Sequence, residues 1–198
     1  MFAYCGNNPI NRADSTGASW YNTVNDFIQK TQAHDKAMNE FNESREVHRS
    51  SGSSLRICTD GATDNYNSQS HQSETAMSGR LKVKTPADEI PYVVIPTNHP
   101  NYDKMIGCMS IVIDHSTGKY VYAVIGDGGP SKNGYGEVSL KVAWDLGYSE
   151  KEANGARGPS GKFTIILFPG TRQNWNSNNL YDQIQETGNS LFPWKKVR

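Results

Sequence analysis

Two periodicities divide the chain. From Ser19 to about Arg49 apolar residues recur at helical spacing: Trp20, Val24, Phe27 and Ile28 fall at i, i+4, i+7 and i+8, and Ala37, Met38 and Phe41 extend a thinner stripe. Ser19 stands where an N-cap is wanted. The pattern predicts an amphipathic helix, broken near His34-Asp35, that packs one narrow stripe and carries no chemistry. Ser50-Ser51-Gly52-Ser53-Ser54 is a hinge by composition. It sets a boundary between a helical spacer, residues 18–54, and a domain over residues 55–198.

Beyond the hinge the pattern changes to short apolar runs. Leu55–Cys58, Tyr92–Ile95, Gly107–Asp114, Tyr120–Ile125 and Phe163–Phe168 read as strands. Between them lie turns such as Asp114–Gly118, in a hairpin, and Asp127-Gly128-Gly129-Pro130. One helix is expected over Val138–Leu146, with Val138, Val142, Ala143 and Leu146 on one face and Gly147 closing its end. Residues 171–198, rich in Asn and Trp, read as a tail wrapping the surface. Many strands and one main helix predict a mainly β (α+β) fold, a compact β-barrel and not a βαβ sheet.

Composition narrows the function. In 198 residues, 20 basic and 20 acidic side chains cancel, which disfavours a nucleic-acid clamp. Hydrophobic residues make up 35% and mean hydropathy is −0.69. The longest apolar runs, such as Ile165–Phe168, are far short of the ~18 residues of a membrane span. The first residues, Met1–Asn8, have neither the basic nor the apolar stretch of a signal peptide, so export would need another route. Cys5, Cys58 and Cys108 have no metal-ligand spacing, so no metal or cofactor is expected. They read as reduced thiols, with a Cys58–Cys108 bridge the alternative.

Two acids stand apart. Asp127 ends an apolar strand inside a glycine-dense loop, and Glu137 follows Gly136 at the start of the expected helix. Such a loop can fold back and face two carboxylates across a cleft, where glycines admit substrate to the backbone. Glycosidic cleavage needs that arrangement: one carboxyl keeps its proton for the leaving oxygen, and the other stays ionised to act on water or carbon. The bland alternative is a turn Asp and a helix-start Glu. A second polar segment, Cys58 to Asp64 with Gln69, His71, Gln72, Ser73 and Thr75, is suited to binding sugar hydroxyls; the spacing of a calcium loop is absent. Nucleophile elbows, phosphate loops and His-Glu-x-x-His are also absent.

Residues 55 to about 171 resemble the fungal-type chitosanases, glycoside hydrolase family 75. The resemblance is carried, in order, by Ile57–Gly61, Gln69…Gln72-Ser73-Glu74-Thr75, Pro91–Pro96, Tyr122–Pro130, Gly136-Glu137-Val138-Ser139 and Leu167–Thr171. It implies a six-stranded double-psi-type barrel and an inverting endo-hydrolase of β-1,4-linked glucosamine. Asp127 and Glu137 would be its essential acids, Glu137 donating the proton and Asp127 activating water. Asp60, Gln72, Thr75 and Gly128 are the expected substrate-binding positions. Gly128 stands where the family usually has Thr.

Residues 1–17 resemble the end of an Rhs/YD-repeat core, through Tyr4, Asn7, Asn8, Pro9, Asn11, Asp14 and Gly17. That implies the C-terminal module of a larger exported shell protein, often a toxin with an immunity protein as partner. Three readings follow: a monomeric chitosanase, a toxin hydrolysing peptidoglycan strands, and a non-catalytic carbohydrate-binding tail.

Overall fold

A computed structural model describes residues 46–49, 54–63, 71–131, 134–149 and 158–191. The Rhs-like segment, the expected helix before Glu46 and most of the Ser/Gly hinge lie outside the described residues, as does Cys5. Among the described residues no helix is long and apolar enough to cross a membrane.

The strands are β1 (Glu46–Arg49), β2 (Arg56–Cys58), β3 (Tyr92–Pro96), β4 (Met109–Asp114), β5 (Tyr120–Gly129), β6 (Glu137–Ser139) and β7 (Phe163–Phe168). They form one mixed sheet in the order β1-β7-β4-β5-β3-β6-β2. Hydrogen bonding joins these strands as an open series, with β1 and β2 at its margins, and not as the closed six-stranded ring that was expected. Among the described residues four α-helices accompany it, where one main helix was expected beyond the hinge: α1 (Ala76–Leu81), α2 (Tyr102–Met105), α3 (Leu140–Asp145) and α4 (Leu180–Leu191).

β3, β4, β5 and β7 are almost wholly buried, which is why each reads as an unbroken apolar run. The β4–β5 hairpin is tied by Asp114, whose carboxylate accepts from the Ser116 N–H, the Thr117 hydroxyl and the Tyr148 hydroxyl. Gly118 supplies the positive φ of that turn. α4 is part of the core. Leu180, Ile184 and Gly188 are buried against β5, and a β-carbon on Gly188 would stand 2.3 Å from the Tyr122 ring. Residues 180–191 of the segment expected as a tail are therefore a helix, and its glycine is what lets it lie so close.

Three local expectations change. β1 is a strand where the helical stripe was extended to Arg49, because it pairs antiparallel with β7, Glu46 opposite Leu167 and Arg49 opposite Thr164. β5 continues through Gly126-Asp127-Gly128-Gly129 instead of ending at Ile125, since β3 runs parallel beside it as far as Pro96. Glu137 lies on β6, not on a helix, held by β2 on one side and β3 on the other. The helix starts only at Leu140. Ser139 caps it, accepting from the Val142 N–H while its hydroxyl also donates to the Ile90 carbonyl.

Candidate active site

The two acids meet through one residue of β3. Val94 is in register with Asp127 on the parallel β5 and with Glu137 on the antiparallel β6. Two inter-strand steps of about 4.8 Å set the acids' Cα atoms on the order of 9–10 Å apart, with side chains on one face. Asp127 reaches that face through a bulge. Val93 pairs with Ile125 but Val94 with Asp127, so Gly126 is an extra residue in β5. Gly129 keeps the space between the acids open: a β-carbon there would meet Val94 Cγ1 at 3.1 Å and Glu137 Oε2 at 3.6 Å.

Asp127 is 6% exposed. Its Oδ1 accepts from the Ala76 N–H at the start of α1 and from its neighbour Gly128, both at 2.8 Å. Oδ2 takes the Cys58 thiol at 3.9 Å. Burial, opposed by those two N–H groups and reinforced by the Asp60 carboxylate, raises the Asp127 pKa to about 7. Asp114 makes the contrast. Burial pushes it up too, but the hydrogen bonds from Thr117, Tyr148 and Ser116 outweigh this and hold it below its ordinary range. One buried acid is tied down as structure; the other is poised to hold a proton.

Glu137 faces a cation: its Oε2 lies 3.7 Å from Arg56 Nε, with side chains 18% and 40% exposed. Arg56 is in register with Glu137 on β2, and Cys58 lies two residues further along that strand. In a flat sheet β2 and β5 would be about 14 Å apart, three strand spacings. The Cys58–Asp127 contact therefore requires the sheet to curl over the site.

Among the expected binding residues, Asp60 is at the site. Its Oδ1 accepts from the Gln72 N–H at 2.7 Å and its carbonyl accepts from the Tyr92 hydroxyl at 3.0 Å. Gly128 is there through its backbone, with the Tyr102 hydroxyl filling the space where a side chain would go. Gln72 is exposed and contributes its main chain to Asp60 and Gly61. Thr75 is 2% exposed and is the N-cap of α1, accepting from the Ser78 N–H, so its part is structural. Asp64 and Gln69 lie outside the described residues. Arg56, Tyr92 and the Ala76 N–H were not anticipated as site groups.

Cys58 and Cys108 are separate buried thiols, not a bridge. Cys58 Sγ and one carboxylate oxygen each of Asp60 and Asp127 lie within 4.8 Å of one another, close enough for a metal. Burial, with the Asp60 charge, pushes the Cys58 thiol well above its ordinary range, so it stands protonated beside the two carboxyl groups.

Folded Asp127 titrates near 7 against an ordinary 3.8, so the folded state binds the extra proton between those values. The stability this contributes is complete below about 3.8 and is lost as pH rises through about 7. Thermal melts at several pH values between 4 and 8 are expected to fall with rising pH, and Asp127→Asn to flatten that slope. An unchanged slope in the variant would place the ionisation elsewhere. No family model and no curated protein matches the chain.

Proposed function

We propose that the chain is a glycoside hydrolase that cleaves β-1,4-linked glucosamine polymers internally and with inversion, using Asp127 and Glu137. The observation that carries this is their common register on Val94, with Gly129 leaving a gap between them. Inverting enzymes hold their two carboxyl groups roughly 6.5–9.5 Å apart to admit a water, a spacing within reach of two acids that flank one strand. Asp60, Asp127 and Glu137 against Arg56 give the site the sign that favours a polycationic chain. The curl that brings β2 over β5 supports a double-psi-like barrel. The motif at residues 1–17 supports a place at the end of an exported Rhs-type protein with an immunity partner.

The test is digestion of chitosan, chitin and peptidoglycan, with product sizing and NMR of the fresh reducing ends. Internal cuts in chitosan and first-formed α-anomers are expected. A β-anomer would refute inversion, release from cell walls alone would move the substrate to peptidoglycan, and no release from any polymer would refute the hydrolase.

A further inference from the structure

We propose that Asp60 is a positioning residue that shares one proton with Asp127, and that Asp127 is the group that delivers this proton to the leaving oxygen. The inference rests on the reading of Asp127 and Glu137 as the hydrolytic pair. It reverses the roles that the family resemblance implies for them.

Hydrogen-bond direction carries the argument. Both partners of Asp127 Oδ1 are backbone N–H donors, so that oxygen is an acceptor and a proton on Asp127 belongs on Oδ2. Oδ2 lies in the cluster with Cys58 and Asp60. The Asp60 carboxylate cannot drift off, because the Gln72 N–H holds its Oδ1 and the Tyr92 hydroxyl holds its carbonyl.

The charges facing Asp127 point the same way. On its own side are the Cys58 thiol, Asp60 and the Tyr92 and Tyr102 phenols, with the nearest cation, Arg80, set beyond Tyr102 at 5.1 Å from its ring centre. Across the Gly129 gap is Glu137, and there the cation Arg56 stands beside the carboxylate. Two carboxyl groups this close, one of them buried and the other partly so, do not both ionise at little cost; one proton between them removes the repulsion. The raised Asp127 pKa agrees with this. Glu137, with the guanidinium at its side, is left as the base.

The step then balances. Oδ2–H of Asp127 protonates the glycosidic oxygen as the C1–O bond breaks and the aglycone leaves as an alcohol. Water attacks C1 from the opposite face and gives its proton to Glu137. Solvent carries a proton from Glu137 back to Asp127, and Asp60 holds it there for the next turn.

The test is Asp60→Asn, whose amide oxygen can still accept from the Gln72 N–H. Two readouts are needed: the pH profile of kcat/KM on chitosan, and the pH titration of the Asp127 carboxyl followed by 13C NMR and assigned with Asp127→Asn. In the parent protein activity should fall as pH rises through about 7, where the donor loses its proton. Asp60→Asn should move both that falling limb and the carboxyl midpoint down by about 1 pH unit. Activity near pH 7 should then drop by a several-fold larger factor than activity near pH 5. An unmoved carboxyl midpoint would overturn the shared proton. A shift of the rising limb instead would overturn Asp127 as donor. A shifted midpoint in a protein that hydrolyses none of the polymers would uphold the proton sharing and refute the hydrolase.

Discussion

Asp127→Asn is expected to abolish polymer cleavage and leave the fold standing. The asparagine oxygen keeps the N–H bonds of Ala76 and Gly128, and its amide turns toward Cys58 and Asp60, where a carboxylate would meet another carboxylate. Stability at and above neutral pH should therefore be at least that of the parent protein. Turnover should fall by about 10²–10⁴, the usual contribution of one positioned acid or base. Glu137→Gln should lose a similar factor. Its pairing with Arg56 is partly exposed and the new amide oxygen can still face Nε, so the cost to stability stays on the order of 1 kcal/mol. Reducing-sugar release and circular-dichroism melts on both variants separate the two effects, and a variant that still turns over removes its residue from the mechanism.

A large loss of stability is expected from Gly126→Ala. The new β-carbon would stand 2.6 Å from Tyr92 Cβ. Tyr92 has no room to yield: it is fully buried, its N–H donates to Ser139 Oγ and its hydroxyl donates to the Asp60 carbonyl. Overpacking of this kind costs about 1–3 kcal/mol. Since Gly126 is the extra residue that turns Asp127 onto the site face, turnover should fall with it. Gly128→Ala is the control. There the obstacle is the hydroxyl end of Tyr102, a half-buried side chain at the surface that can swing away. Urea denaturation should rank Gly126→Ala as the more damaging of the two, and the reverse order would show that Tyr92 does not fix the bulge. The same contact explains why glycine at 128 and tyrosine at 102 occur together: a threonine at 128 would need that space.

The strands of the core were legible because burial on both faces writes them as continuous apolar runs. β1 was not, since Glu-Val-His-Arg carries neither period and becomes a strand only through the backbone of β7. The glycine run after Ile125 suggested a loop on propensity; Tyr92 and Tyr102 occupy the volume its side chains would need, and no local rule shows that. Asp127 and Glu137 could be picked out from their glycine frames, but their common register on Val94 is a long-range fact. Thr75 was misread because a threonine beside polar residues looks like a binding group, whereas the helix it caps is too short to announce itself. Arg56 had a signal in hindsight, a cation at the start of a strand two places before Cys58.

The pairing of β1 with β7 has a practical consequence for any attempt to express the sheet without the residues before the hinge. A fragment cut at the serine-glycine stretch would strip the neighbour from β7 and bare a row of amide and carbonyl groups, the kind of naked margin that recruits other chains into aggregates. The smallest piece that can stand in solution as an independent body has to start upstream of Glu46.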